Sequence, residues 1–182
     1  MLYWAIISSF VLIPIIHQRL IKRKSWKEVR QIILPSYQGH KKEIIGALTL
    51  FSALFLGFML INFGLTAFDI ATGTGVNDLE QVQQVVSEEI AQGLWYFILT
   101  LIIVVFVEEL FFRAYLVPRI GMIPSTLIFT VAHTGYGSVA ELIGVFFLGL
   151  LISYWFKRNH SIYQTYFGHL LYNFVALLFY FI

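Results

Sequence analysis

The sequence predicts an all-α, polytopic integral membrane helical bundle with about six hydrophobic segments, and three observations carry that prediction. Hydrophobic residues make up 59% of the 182-residue chain and charged residues only 12%, with a mean hydropathy of +0.80, a balance that a water-exposed domain does not sustain. The apolar residues fall in long runs, most of which reach or approach the ~20 residues that a membrane-crossing helix needs. Lysine and arginine crowd one connecting stretch and are absent from the next, as expected for loops on opposite faces of a bilayer. A chain of this length makes one compact bundle.

The first run, Leu2 to Ile16, has no basic region ahead of it and positive charge behind it, so it reads as a retained span and not as a cleaved signal peptide. Arg19, Lys22, Arg23, Lys24, Lys27, Arg30, Lys41 and Lys42 follow and place loop 17–43 in the cytoplasm. Between Lys22 and Leu34, the helical spacing of Trp26, Val29 and Ile33 predicts a helix in the membrane interface beside anionic headgroups. The second run, Ile44 to Ala67, carries the isolated polar residue Asn62, expected to pack against another helix. Loop 68–93 holds Asp69, Asp78, Glu80, Glu88 and Glu89 without a lysine or arginine, which makes it extracytoplasmic, with both chain ends on that side. Within it, Leu79, Val82, Val86 and Ile90 predict an amphipathic helix capped by Asn77 or Asp78 and stopped by Gly93, read as a surface helix in preference to a lid.

The third run extends from Leu94 to Val117. The fourth, Ile123 to Ala132, lies between Pro124 and the loop-like Gly135–Ser138 and is too short to cross by itself, so a full and a re-entrant course both stay open. Non-helical backbone at that depth requires protein or a water-filled cavity around it. The fifth and sixth runs are Val139 to Phe156 and Ile162 to Ile182, with Arg119, Lys157 and Arg158 returning to the cytoplasmic side. Glu141, in the first turn of the fifth run, sits where the helix dipole favours an anion and reads as structural. His17, His40 and His160 flank spans and read as interfacial.

Function is concentrated in polar residues at the wrong depth. Ionisable side chains inside a membrane segment are costly and mark cavities or chemistry, and Glu108 and Glu109 close an apolar run that begins at Leu94. Counting from Arg119, Glu108 lies about 16 Å into the bilayer; from Pro124, His133 lies about 13 Å in; from Asn159, His169 lies about 15 Å in. Three helices thus deliver a carboxylate pair and two imidazoles to one level. Glu109 and Arg113 share a helix face and form an ion pair. Glu108 points about 100° away without a local cation, and a desolvated carboxylate of that kind suits a general base. Phe129 shares a face with His133, and His169 with Asn173; the latter pair suits a developing oxyanion.

The absence of cysteine excludes a thiol nucleophile, a thiolate metal site and a disulfide. Gly137-Ser138 is followed by Val139 and has no paired base, which argues against a serine protease. Asp69 and Asp78 lie at or beyond the outer end of the second run, which argues against an aspartyl one. Buried glutamate and histidine also build proton relays, so a proton- or ion-coupled carrier is an alternative, although the repeat symmetry usual in carriers is missing. A noncatalytic membrane scaffold or bacteriocin-immunity protein is a second.

Glu108-Glu109-Leu110-Phe111-Phe112-Arg113, Phe129 to His133, and His169 to Asn173 occur in this order on apolar helices. With them the sequence resembles the CAAX prenyl protease and bacteriocin-processing family of intramembrane proteases (CPBP, Abi-type), whose motifs are E-E-x-x-x-R, F-x-x-x-H and H-x-x-x-N. The resemblance covers about Leu94 to Ile182 and divides the chain into N-terminal membrane segments, residues 1–93, and a catalytic helical core, residues 94–182. It implies an endopeptidase of the plasma membrane whose site opens from within the bilayer toward the cytoplasm and which acts on a membrane-associated peptide or protein, with no nucleic-acid partner. Glu108 and His133 would activate water, His169 and Asn173 would hold the oxyanion, and Glu109, Arg113 and Phe129 would support them. No cofactor is firmly implied. The family has also been described as metal-dependent, and a divalent metal such as zinc would take Glu108, His133 and His169 as ligands, although neither H-E-x-x-H nor an obvious supporting carboxylate for the histidines is visible.

Overall fold

A computed structural model describes residues 2–33 and 37–180. Leu34, which closes the basic stretch, and Phe181 and Ile182, which close the last apolar run, lie outside the described residues. The described chain is helical with no strand: α1 (Leu2–Ile16), α2 (Trp26–Ile33), α3 (His40–Thr72), α4 (Leu79–Ala91), α5 (Leu94–Glu108), α6 (Val117–Ile120), α7 (Met122–Ala132), α8 (Val139–Asn159) and α9 (Ile162–Tyr180). π-Helical stretches at His17–Ile21 and Glu109–Leu116 and a 3₁₀ turn at Thr134–Tyr136 complete it.

Three rods among the described residues are long and apolar enough to cross a bilayer: α3 with 33 residues, the continuous Leu94–Ile120 helix with 27, and α8 with 21. Their outer faces carry bare apolar side chains such as Phe63, Ile70 and Trp95, each more than 70% exposed, which only lipid can cover. The chain is a membrane-embedded helical bundle. Its fourth apolar segment is the short α7 of 11 residues, continued by the 3₁₀ turn and an irregular run to Ser138.

The bundle turns about residues 109–115, all of which are buried and which meet α1, α7, α8 and α9. A plain α-helix to Val117 is expected there from sequence, but the structure widens the turn. The Phe112 carbonyl accepts the Val117 N–H, five residues on, and also the Ser125 hydroxyl of α7 at 2.7 Å. Such π segments recur at functional sites. Elsewhere small residues allow close helix contact: a Cβ on Gly168 would lie 2.9 Å from the Ala47 carbonyl of α3, and one on Gly149 would lie 3.0 Å from the Phe129 ring. These contacts seat α9 just before His169 and α8 behind Phe129.

Polar knots close both ends. At one, Glu43 accepts from Ser161 Oγ (2.5 Å) and Gln38 N (2.8 Å), joining α3 to the start of α9. At the other, Asp69 folds residues 74–77 by accepting from Val76 N, Asn77 N and Thr74 Oγ1. Asp78 precedes α4, yet it caps α8 instead, accepting from Ser138 Oγ (2.7 Å), Val139 N (3.0 Å) and Ala140 N (3.0 Å). Asn62 bonds to Asn77 and Thr66, not to another span.

Two helices differ from their predicted setting. In α2, Val29 is buried while Trp26 is exposed and meets the Arg19 guanidinium, because a side chain at the first helical position projects back past the helix start. Helix α4 is not a free surface helix. Val82 and Val86 are buried against Phe97, with Leu101, Tyr136 and Leu177 around them, so α4 roofs the interior.

Asp78 therefore links the roof to the irregular run after α7. Burial pushes its carboxyl up, but the bonds from Ala140, Ser138 and Val139 outweigh burial and hold it below the usual aspartate value. Stabilisation from a depressed carboxylate is complete above the unfolded-state value and is lost as pH falls through the folded one. Asp78→Ala is expected to cost about 1–2 kcal/mol, the range for a lost helix cap. Thermal unfolding in detergent should show this loss at neutral pH, and less of it once acid has protonated Asp78 in the wild type.

Candidate active site

Glu108 is the last residue of α5 and Glu109 the first of the π segment, so the two carboxylates leave the helix in different directions. Glu108 faces a cavity of about 200 Å³ that is also lined by Phe129, His133, His169 and Asn173. Glu109 faces protein and is completely buried, as is Arg113.

His133 follows the last residue of α7, where the helix gives way to the 3₁₀ turn. Its Nδ1 lies 2.8 Å from the Phe129 carbonyl. A carbonyl only accepts, so Nδ1 carries the proton and Nε2 presents a lone pair in the neutral ring. Nε2 lies 3.8 Å from Glu108 Oε1, too far for a direct hydrogen bond. Two acceptors at that separation match one water donating a proton to each.

His169 reaches the site from α9, and its Nδ1 lies 2.9 Å from Glu109 Oε1. The carboxylate fixes the ring and leaves Nε2 as the other polar ring atom, on a side chain that lines the cavity with Asn173. This histidine–carboxylate contact spans 60 residues. Sequence reasoning saw no carboxylate supporting either histidine, because helical spacing relates residues of one helix and not of two.

Arg113 balances the buried carboxylate. Its Nη1 lies 3.5 Å from Glu109 Oε1, and its guanidinium carbon lies 4.1 Å from the centre of the Phe129 ring, a cation–π contact without water. The same ring meets His133 edge-on at 4.4 Å and His169 at 6.4 Å. Phe129 is thus the common wall of both imidazoles. Tyr136 stacks on the other part of His133 at 6.1 Å.

One residue assigned to structure by sequence lies in the cavity: Glu141, in the first turn of α8, lines it together with Glu108 and His133. Residues from α3 and α4, including Leu54, Phe58, Val82 and Glu89, supply much of the remaining wall. His17 is instead bonded to Tyr115 at 2.8 Å, and His40 and His160 pack on Tyr37 and Phe156. Among the described residues, no three His, Asp or Glu side chains are placed to hold a metal ion together.

Removing one member of a buried ion pair strands the other and costs about 3–5 kcal/mol. Arg113→Ala is therefore expected to reduce the yield of folded protein sharply, read as the monodisperse fraction on size-exclusion chromatography in detergent. Adding Glu109→Gln should recover part of that yield, since the stranded charge is then gone.

Comparison with known proteins agrees with this architecture. No curated protein and no solved structure matches the chain. The family model described as type II CAAX prenyl endopeptidase Rce1-like matches residues 90–175, just under half of the chain, and that stretch contains Glu108, Glu109, Arg113, Phe129, His133, His169 and Asn173. Through this region the chain is similar to the CAAX-type family of membrane-embedded proteases.

Proposed function

We propose that this protein is an intramembrane endopeptidase that cleaves a membrane-associated peptide or protein with a water activated between Glu108 and His133. The observation that carries the reading is the 3.8 Å gap between Glu108 Oε1 and His133 Nε2, with the other nitrogen of His133 committed to the Phe129 carbonyl. Both groups facing the gap accept protons, so a water held there turns its oxygen lone pairs toward a peptide carbonyl.

Glu108 takes the water proton as the C–O bond forms. The carbonyl oxygen gains negative charge and is met by Asn173 Nδ2–H and by the His169 ring, whose Nδ1 is held by Glu109. The Glu109 carboxylate on Nδ1 and the Arg113 guanidinium beside it fix the orientation of that ring. Collapse of the intermediate expels the amine, which takes the proton from Glu108. No step is routed through a metal or another cofactor. Residues 94–182 carry the chemistry in this reading, while residues 1–93 supply wall and roof through α3 and α4. The basic loop 17–43 orients the protein in the plasma membrane with that loop in the cytoplasm and loop 68–93 outside.

The test compares host membranes carrying wild type or Glu108→Gln at matched levels, with new peptide termini mapped by mass spectrometry. Glu108→Gln should remain folded and lose cleavage by about 10²-fold or more, in line with removal of a general base. Termini found only with the wild type would also name the substrate. Identical termini in both would contradict the assignment and favour a scaffold or immunity role.

A further inference from the structure

The chain contains two Ser-x-x-Glu sequences ahead of helices, and they behave differently. At α2 the box is closed: Ser25 N and Oγ both donate to Glu28 Oε2, at 2.8 and 2.7 Å, and Glu28 N donates to Ser25 Oγ. At α8 only half of it forms. Glu141 N donates to Ser138 Oγ at 3.0 Å, but the carboxylate that Ser138 meets is Asp78, which also takes the N–H groups of Val139 and Ala140. Asp78, from 60 residues earlier, takes the Ser138 hydroxyl and the first two N–H groups of α8, where a closed box would have turned Glu141 back to Ser138. The Glu141 side chain is released to the cavity.

That cavity has a one-sided charge. Its acidic and imidazole lining residues are Glu89, Glu108 and Glu141 with His133 and His169, and among the described residues no lysine or arginine lines it. The nearest cation, Arg113, is turned to Glu109 and Phe129. His133 is committed elsewhere, with Nδ1 held by Phe129 and Nε2 facing Glu108. Apolar walls such as Val104, Val145 and Leu148 strengthen the field of a carboxylate enclosed by them. An enclosed carboxylate lacking a protein cation is completed by a positively charged partner brought from outside.

We propose that Glu141 is a specificity residue, receiving a lysine or arginine side chain of the peptide cleaved at Glu108 and His133. This rests on the endopeptidase reading above and adds to it the charge of the substrate. A basic residue next to an apolar segment is the chemistry that fits both the acidic lining and the apolar walls.

The test uses the full-length protein in lipid vesicles with a fluorescence-quenched set of apolar peptides. One position at a time carries lysine, arginine, norleucine or glutamate, and Glu108→Gln protein serves as the blank. Wild type should prefer lysine or arginine over norleucine by about tenfold in kcat/KM at one fixed position relative to the cleaved bond, mostly through KM, the scale of one charge-assisted contact. Glu141→Gln should lower cleavage of the lysine peptide about tenfold more than that of the norleucine peptide. Glu141→Lys should turn the preference toward glutamate, and equal thermal midpoints for the three proteins exclude a folding effect. A wild type indifferent to charge at every position, or a Glu141→Gln that slows all peptides alike, would overturn the specificity role while leaving proteolysis intact. Wild-type cleavage no greater than the Glu108→Gln blank would overturn the protease reading, and this one with it.

Discussion

The burial of the Glu109 carboxylate between Arg113 and His169 is the constraint on which the rest of this structure depends. A charge at that depth is costly without partners, and here two helices supply them to one carboxylate oxygen, Oε1. Arg113 lies 3.5 Å away on the same segment and His169 lies 2.9 Å away on α9. Satisfying this one group fixes the separation and rotation of α5 and α9. The arginine in turn needs a surface to lie on, and Phe129 of α7 provides it at 4.1 Å. Three helices are locked at one depth by a single buried charge.

From that lock the active groups follow. Because Glu109 is turned inward, its neighbour Glu108 is turned to the cavity, and because Phe129 holds Arg113, its carbonyl one turn before His133 is in place to set the histidine tautomer. The irregular run after α7 would be costly in lipid. It is satisfied by the opposite end of the fold, where Asp78 takes the first N–H groups of α8 and α4 covers the cavity with Val82 and Val86. The N-terminal segments are therefore part of the site's enclosure. The cavity faced by Glu108 and His133 is thus walled in part by residues outside the 90–175 match.

Much of this was legible in the sequence. Apolar run lengths gave the three helices long enough to cross a bilayer, and counting from Arg119, Pro124 and Asn159 brought Glu108, His133 and His169 together, as they are around one cavity. The Glu109–Arg113 pair followed from helical spacing, which survives the π segment because four residues still return to nearly the same face. What was illegible depends on contacts between distant helices. Periodicity does not say that Glu109 meets His169, that Asp78 caps a helix other than its own, or that the apolar face of α4 lies on Phe97 and Leu177. That Glu141 lines the cavity was illegible for the same reason. Its position at a helix N-terminus suggests a local cap, and only the remote Asp78 shows that the first N–H groups of α8 are taken by another carboxylate.

The claim at the centre of this account is that Glu108 and His133 act on one water as a unit. A double-mutant cycle on turnover tests it most directly, with Glu108→Gln, His133→Ala and the double variant assayed on one substrate in vesicles. Groups that work as a unit are grossly non-additive, so the double variant should be little slower than the slower single one. Losses that multiply would mean that the two residues act in separate steps, and would contradict the shared-water site.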